Sequence, residues 1–261
     1  DGTFWRLFPF IEHTHTLDVV EEPVQAYQAA YAFGLFANKL SAFSPEQLKV
    51  TIPQFHDVHF RVQQLQEAIK TGNQERVIFA TEALRFLEER FHLADTCAQQ
   101  SASGKWVKRV MHHDTKISNV LFDTNNQAVC VIDLDTIMPG YFFSDVGDMM
   151  RTYLCPVNEE ETSLSSISVR DDFFKAIVTG YTDAMKNSLT HSEKSDFVLA
   201  GKLMIFMQAV RFLTDFINND IYYGAAYELH NYNRALNQIQ LLTKVEAKQQ
   251  EWTDWLLNYF S

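Results

Sequence analysis

Apolar positions recur at helical spacing over most of the chain. Between residues 18 and 41, Tyr27, Tyr31, Gly34 and Leu35 fall on one face, so this segment reads as a helix. Asp18 with Glu21 can form a capping box there, and Pro23 suits a first turn. Ser44-Pro45-Glu46-Gln47 carries a second helix-start signal, and 51–56 reads as a loop. Helices follow over 60–70 and 74–100, split at Thr71-Gly72-Asn73, where Gly72 is expected to take the left-handed cap conformation. Val77, Ala80, Leu84, Leu87 and Phe91 supply the buried stripe of the second. The distal part repeats the pattern. A helix over 171–186 places Phe174, Ile177, Val178 and Tyr181 on one side. Thr190 and Glu193 form a capping box opening a long helix through Ile217. A last helix over 231–260 carries Leu236, Ile239, Leu242, Trp252, Trp255 and Tyr259.

One stretch, 110–151, breaks this period. Val110–Met111 reads as a short strand, 119–122 as a second, and the β-branched run 128–132 as a third, with Thr124-Asn125-Asn126-Gln127 as a tight turn. Two antiparallel strands then carry Asp114 and Asn119 at one end and deliver Asp133 close by. An acid, an amide and a second acid on one spot suit a metal-dependent phosphoryl transferase. One carboxylate orients the attacking hydroxyl, while an amide oxygen and another carboxylate hold Mg²⁺ on the phosphates.

The spacing His112-x-Asp114, Asn119, Ile132-Asp133 and a later Asp145 resembles the catalytic and metal-binding segments of the aminoglycoside phosphotransferase/choline kinase superfamily. Asp114-Thr115-Lys116 and the run from Ile132 to Gly140 look most like the N-acetylhexosamine 1-kinases. The resemblance implies an α+β, mostly α fold: a protein-kinase-like C-terminal lobe with a small β-hairpin insert carrying the catalytic loop. It implies ATP as co-substrate and Mg²⁺ as cofactor. Asp114 would be the catalytic carboxylate, and Asn119 and Asp133 the metal ligands. Asp145 would brace the catalytic loop through backbone amides, and His112 would pack that loop. Lys116 reads either as a contact to the transferred phosphoryl or as a solvated lysine. Asp135 has two readings as well, a metal or sugar contact and a solvated acid. Asp148 and Arg151, one turn apart, either pair or face the acceptor. Arg211 and Asp215 form an i,i+4 couple in an apolar helix, read equally as a structural ion pair and as sugar contacts. Tyr222 and Tyr223 offer a stacking face for the sugar.

The N-terminal residues 3–12 are aromatic and read as a strand cut open by Pro9. By resemblance, residues 1–12 are the last strand of a nucleotide lobe and the hinge, with the backbone around Phe8, Phe10 and Ile11 facing adenine, and 13–261 form the catalytic lobe. The nine glycines include no clustered phosphate loop. The expectation is a hinge and C-terminal lobe whose nucleotide lobe lies outside this chain, folding alone without kinase activity.

Composition narrows the partners. The 261 residues can bury a large core, and a net charge of −11 argues against nucleic acid. Cys97, Cys130 and Cys155 lack metal-ligand spacing and read as reduced. His13, His15, His56 and His59 match no strong zinc pattern. Purely apolar runs stop short of the ~18–20 residues of a membrane helix. With no signal-peptide pattern, the expectation is a soluble, cytoplasmic protein. Beside the hexosamine kinase stand two alternatives: a kinase for another small alcohol, such as an aminoglycoside, choline-like or homoserine-like acceptor, and a non-catalytic pseudokinase module.

Overall fold

A computed structural model describes residues 2, 3 and 5–261. The helix α1 spans Pro23–Lys39 and starts later than expected. Gln25 Oε1 accepts the amides of Glu21 and Glu22 at 2.9 and 3.1 Å, so Gln25 closes the helix start instead of the Asp18–Glu21 box. Ser44 opens only a 3₁₀ turn, Pro45–Gln47, because no apolar repeat follows it. The helix α2, Val58–Thr71, is capped by Asp57, whose Oδ1 accepts from the Phe60 amide at 2.9 Å. Gly72 is extended, with φ −77° and ψ −166°, not left-handed. Glycine fits there for another reason: a Cβ would sit 2.6 Å from both the Ala68 carbonyl oxygen and Ile217 Cγ2.

The single helix expected over 74–100 is three: α3 Gln74–Phe79, α4 Thr81–Glu88 and α5 His92–Ala102. The Thr81 hydroxyl donates to the Ile78 carbonyl at 2.7 Å at the first break. Tight bonds from Arg90 N to Leu87 O and from Leu93 N to Arg90 O close the second. Bending at both places keeps Ala80, Leu84 and Leu87 on the core.

Two small antiparallel pairs follow. Strands β1 Arg109–Met111, β2 Val120–Phe122, β3 Ala128–Val131 and β4 Met138–Gly140 join as β1–β4 and β2–β3. The β4 strand was not expected from sequence; it contains Pro139 and pairs Met111 with Met138 and Arg109 with Gly140. The remaining helices are α6 Phe142–Tyr153, α7 Asp171–Met185, α8 His191–Ser195, α9 Phe197–Ile217 and α10 His230–Tyr259. The Thr190–Glu193 box forms, but it opens the five-residue α8, and the long helix restarts at Phe197. Glu193 also binds Arg109, with oxygens 2.5 and 2.9 Å from its guanidinium, and so anchors β1 from outside the sheet.

At the centre lies α9, packed against α2, α6 and α10. Its length and composition would suffice to cross a membrane, yet 78% of its most apolar window is buried inside the fold, as in the core helix of a globular domain. Phe206, Phe212 and Phe216 are among its buried side chains, each contributing about 2–3 kcal/mol of burial. The α1–α7 pair is joined to α10 through Phe174, stacked on Trp252 at 4.2 Å.

Of the strand expected over 3–12, the described residues 3 and 5–12 form none. Pro9 lacks an amide to donate to a strand partner. Trp5, Phe8 and Phe10 are 85%, 62% and 88% exposed; Phe4 lies outside the described residues.

Candidate active site

The turn from β1 to β2 holds the site. Its first residues are tied to α6. Asp145 Oδ2 and Oδ1 accept the amides of His112 and His113 at 3.1 and 2.8 Å. Asp148 Oδ2 accepts the Thr115 amide at 2.8 Å, the Thr115 hydroxyl donates to the Asp145 carbonyl at 2.8 Å, and the Tyr153 hydroxyl donates to the Thr115 carbonyl. Both acids are buried, and burial pushes both carboxyls up; for Asp145 the two loop amides work the other way. The spacing Asp145, Asp148 puts them one turn apart on the same helix face.

His112 links the loop to the strand that precedes Asp133. Its Nε2 lies 3.0 Å from the Ile132 carbonyl and its Nδ1 3.3 Å from the Asp114 amide. A proton on Nε2 and a lone pair on Nδ1 satisfy both contacts, which makes His112 a neutral clamp. The Ile132 amide in turn donates to the Asn119 carbonyl at 2.9 Å. Asp133 follows at once, with φ 60° and ψ 65°, a left-handed conformation that aspartate tolerates. Asp114, Asn119 and Asp133 thus share one set of backbone ties.

Asn119 Nδ2 donates to the Asp114 carbonyl at 2.9 Å and to Asp114 Oδ2 at 3.0 Å, which leaves Asn119 Oδ1 available to a cation. Lys116 Nζ stands 3.3 Å from the same Asp114 oxygen. No described residue donates a hydrogen bond to the Asp133 carboxylate. One amide oxygen and one uncommitted carboxylate are hard donors that fit Mg²⁺ when phosphate oxygens complete its shell. Among the described residues no three His, Cys, Asp or Glu side chains form a metal cage. The four histidines considered together in the sequence have separate partners: His13 lies 3.8 Å from Glu12, His59 meets Asp95, His15 bridges to Phe122, and His56 meets His113.

His113, buried behind the loop, has φ 66°. Its Nε2 lies 3.2 Å from the Met138 carbonyl, and its Nδ1 3.4 Å from His56 Nδ1. With the His113 proton on Nε2, His56 donates. Burial lowers the His113 imidazole to about 4 and holds His56 well below its ordinary value. Gly140 lets β4 cross this ring, since a Cβ there would lie 2.4 Å from His113 Cε1.

Several expected acceptor contacts are otherwise engaged. Asp148 is bound to the Thr115 amide and to Arg151 Nε at 3.0 Å, so it supports the loop and pairs with Arg151. Arg151 is shared between Asp148 and Glu159. Arg211 and Asp215 do not pair. Asp215 accepts the Tyr222 and Tyr223 amides at 2.7 and 2.9 Å, closing the turn after α9. Arg211 donates to Gln208 Oε1 at 3.0 Å and lies 5.5, 5.9 and 5.4 Å from the rings of Phe55, Tyr222 and Tyr223. Asp135 is exposed and sits 2.7 Å from Arg6, a surface pair of small energetic weight. Phe8 and Phe10 are exposed in irregular chain, and the carbonyl of Ile11 accepts from the Thr14 hydroxyl. Sequence reasoning missed Thr115 and Tyr153, and took up His56 only as a possible zinc ligand. Only Thr115 lies inside the motif; the others reach the site by tertiary packing.

A family model for the phosphotransferase enzyme family, APH, matches residues 1–173. The chain belongs to the phosphotransferase enzyme family. A structure described as an aminoglycoside phosphotransferase from Alicyclobacillus acidocaldarius is similar in fold, with a TM-score of 0.55 at 14% identity, covering 91% of this chain and 67% of that one. The mostly helical architecture with two small sheets is that of this phosphotransferase fold.

Proposed function

We propose that this phosphotransferase is an ATP- and Mg²⁺-dependent small-molecule kinase, acting on the anomeric hydroxyl of an N-acetylhexosamine. The observation that carries the reading is the loop from His112 to Asn119. It holds Asp114, Lys116 and Asn119 in mutual contact, and the His112–Ile132–Asn119 ties bring Asp133 alongside. Support for the sugar comes from the wording of Asp114-Thr115-Lys116 and of the run from Ile132 to Gly140, and from Arg211 among three aromatic rings.

Asp114 accepts a hydrogen bond from the acceptor hydroxyl and aims its oxygen at the γ-phosphorus. A new O–P bond forms as the bond to the β–γ bridging oxygen breaks; ADP leaves with that electron pair, and the hydroxyl proton passes to Asp114 and then to solvent. Asn119 and Asp133 would hold Mg²⁺, which would supply charge to offset the phosphates. Lys116 adds a positive charge beside the transferred group. The transition state is loose, so positioning contributes more than proton removal. Asp145, Asp148 and Tyr153 fix the loop, while His112 keeps Asp114 and Asp133 in register.

The test is ADP release by the full-length protein across N-acetylhexosamines, hexoses, choline and aminoglycosides. Turnover highest with an N-acetylhexosamine is expected. Turnover highest with choline or an aminoglycoside removes the sugar reading, and none with any acceptor removes the kinase.

A further inference from the structure

Part-buried arginines in this acidic chain have carboxylates beside them. Arg76 meets Asp220, Arg90 meets Glu246, Arg109 meets Glu193, and Arg151 and Arg234 share Glu159. Arg170 donates to the carbonyls at the end of α6. Arg170, Arg61 and Arg211 are the exceptions: among the described residues none has a carboxylate within ion-pair distance, but Arg170 has three carbonyls. Arg61 gives one nitrogen to Gln64 Oε1 at 2.8 Å and one to the Phe55 carbonyl at 3.1 Å, and its buried Nε has no acceptor. Arg211 has the Gln208 amide oxygen and ring faces. A guanidinium carries five N–H donors, so each has donors left for a ligand in the space between them.

The two line one cavity of about 140 Å³, with Gln64, Thr214, Tyr222 and Tyr223. Asp215 also reaches its wall, but its oxygens are committed to the Tyr222 and Tyr223 amides. Burial first, and the neighbouring Arg211 next, lower the Arg61 pKa, while Tyr223, Tyr222 and Asp57 act the other way. Unpaired buried charge is costly, and an oxyanion in the cavity would remove that cost. The volume is below the ~300–1,000 Å³ of a whole small-molecule site, and so suits a substituent. Phe55 stacks on His56 at 4.4 Å, and His56 meets His113, the neighbour of Asp114. The rings of Phe55, His56 and His113 thus link Arg211 to the back of the catalytic loop.

We propose that this cavity binds an oxyanion, a carboxylate or phosphate, carried by the acceptor at the end remote from the hydroxyl that Asp114 addresses. The acceptor is then an acidic hydroxyl compound, not a cationic one. This rests on the small-molecule kinase reading, and replaces a neutral N-acetylhexosamine by one with an acidic substituent.

The full-length protein is titrated calorimetrically, without nucleotide, against N-acetylglucosamine, its 6-phosphate, glucosamine and inorganic phosphate. The 6-phosphate is expected to bind at least ~10-fold more tightly than the neutral sugar, on the scale of one charge-assisted contact. Arg61→Gln and Arg211→Met should each remove most of that preference while keeping a cooperative thermal transition. If either variant unfolds, competition by inorganic phosphate against the 6-phosphate in the unsubstituted protein tests the site, and no competition overturns it. Equal binding of neutral and acidic sugars, tighter binding of glucosamine, or inorganic phosphate matching the phosphorylated sugar also overturns the proposal. ADP release read in parallel separates the two readings. Acidic-sugar preference with no ADP release from any acceptor leaves the anion cavity and removes the kinase; release without acidic preference does the reverse.

Discussion

Asp114 and Asp133 differ in what already holds them. Asp114 is anchored by Asn119 and Lys116, whereas no described residue donates to the Asp133 carboxylate. Asp133→Ala is therefore expected to abolish Mg²⁺-dependent nucleotide binding, while Asp135→Ala, which loses only an exposed contact with Arg6, has a mild effect. Isothermal titration of both variants with Mg-ATP in full-length protein gives the ranking, and the reverse order shows that Asp135 is the ligand. The spacing of Asp114, Asn119 and Asp133 was readable because short-range backbone turns bring them together. The Arg211–Asp215 couple misled for a physical reason. An i,i+4 spacing permits a pair, but Asp215 is claimed by two turn amides that sequence spacing does not reveal. Arg61 lies on another helix and carries no local signal.

Two acids on α6 and one on α8 show how elements hold the site. Removing the Asp145 carboxylate strands the His112 and His113 amides inside the protein, at about 1–3 kcal/mol for each. Asp145→Ala is expected to lower both thermal stability and turnover in full-length protein, and Asp145→Asn, which keeps one acceptor, to recover part of each. A variant with unchanged turnover would show that the loop holds its shape without α6. Glu193→Ala leaves buried Arg109 without its partner and is expected to cost about 3–5 kcal/mol, read as a shift of the denaturation midpoint. A shift below about 1 kcal/mol would mean water replaces the carboxylate. Helix faces were legible from apolar periodicity, as in Phe174, Ile177 and Tyr181 of α7. The breaks within 74–100 were not, since no glycine or proline marks them and the bends follow the curvature of the core. Strand β4 was missed because Pro139 argues against a strand in sequence, yet at the edge of a two-stranded pair its missing amide costs little.

Across the whole molecule, the buried His56–His113 contact ties stability to pH. The His113 imidazole titrates near 4 in the fold against about 6.5 when exposed. Between these values the unfolded chain binds a proton that the folded chain excludes, so stability falls as pH drops through this window, by on the order of 3 kcal/mol for His113 alone. His113→Asn, which tolerates the left-handed backbone, should flatten the fall in melting temperature between pH 7 and pH 4.5; an unchanged slope would assign the acid sensitivity elsewhere. The mostly α architecture and its β insert were legible at this scale, while the cavity between Arg61 and Arg211 was not, because a net charge of −11 says nothing about where two arginines line one space. The most direct test of the phosphotransfer account compares full-length protein with its Asp114→Asn variant, given Mg-ATP and the preferred acceptor, by ADP release and by mass of the phosphorylated product. The account predicts phosphorylated acceptor from the unsubstituted protein, and turnover at least ~10²-fold lower in Asp114→Asn with Mg-ATP affinity retained. Retention of most turnover by Asp114→Asn would contradict it.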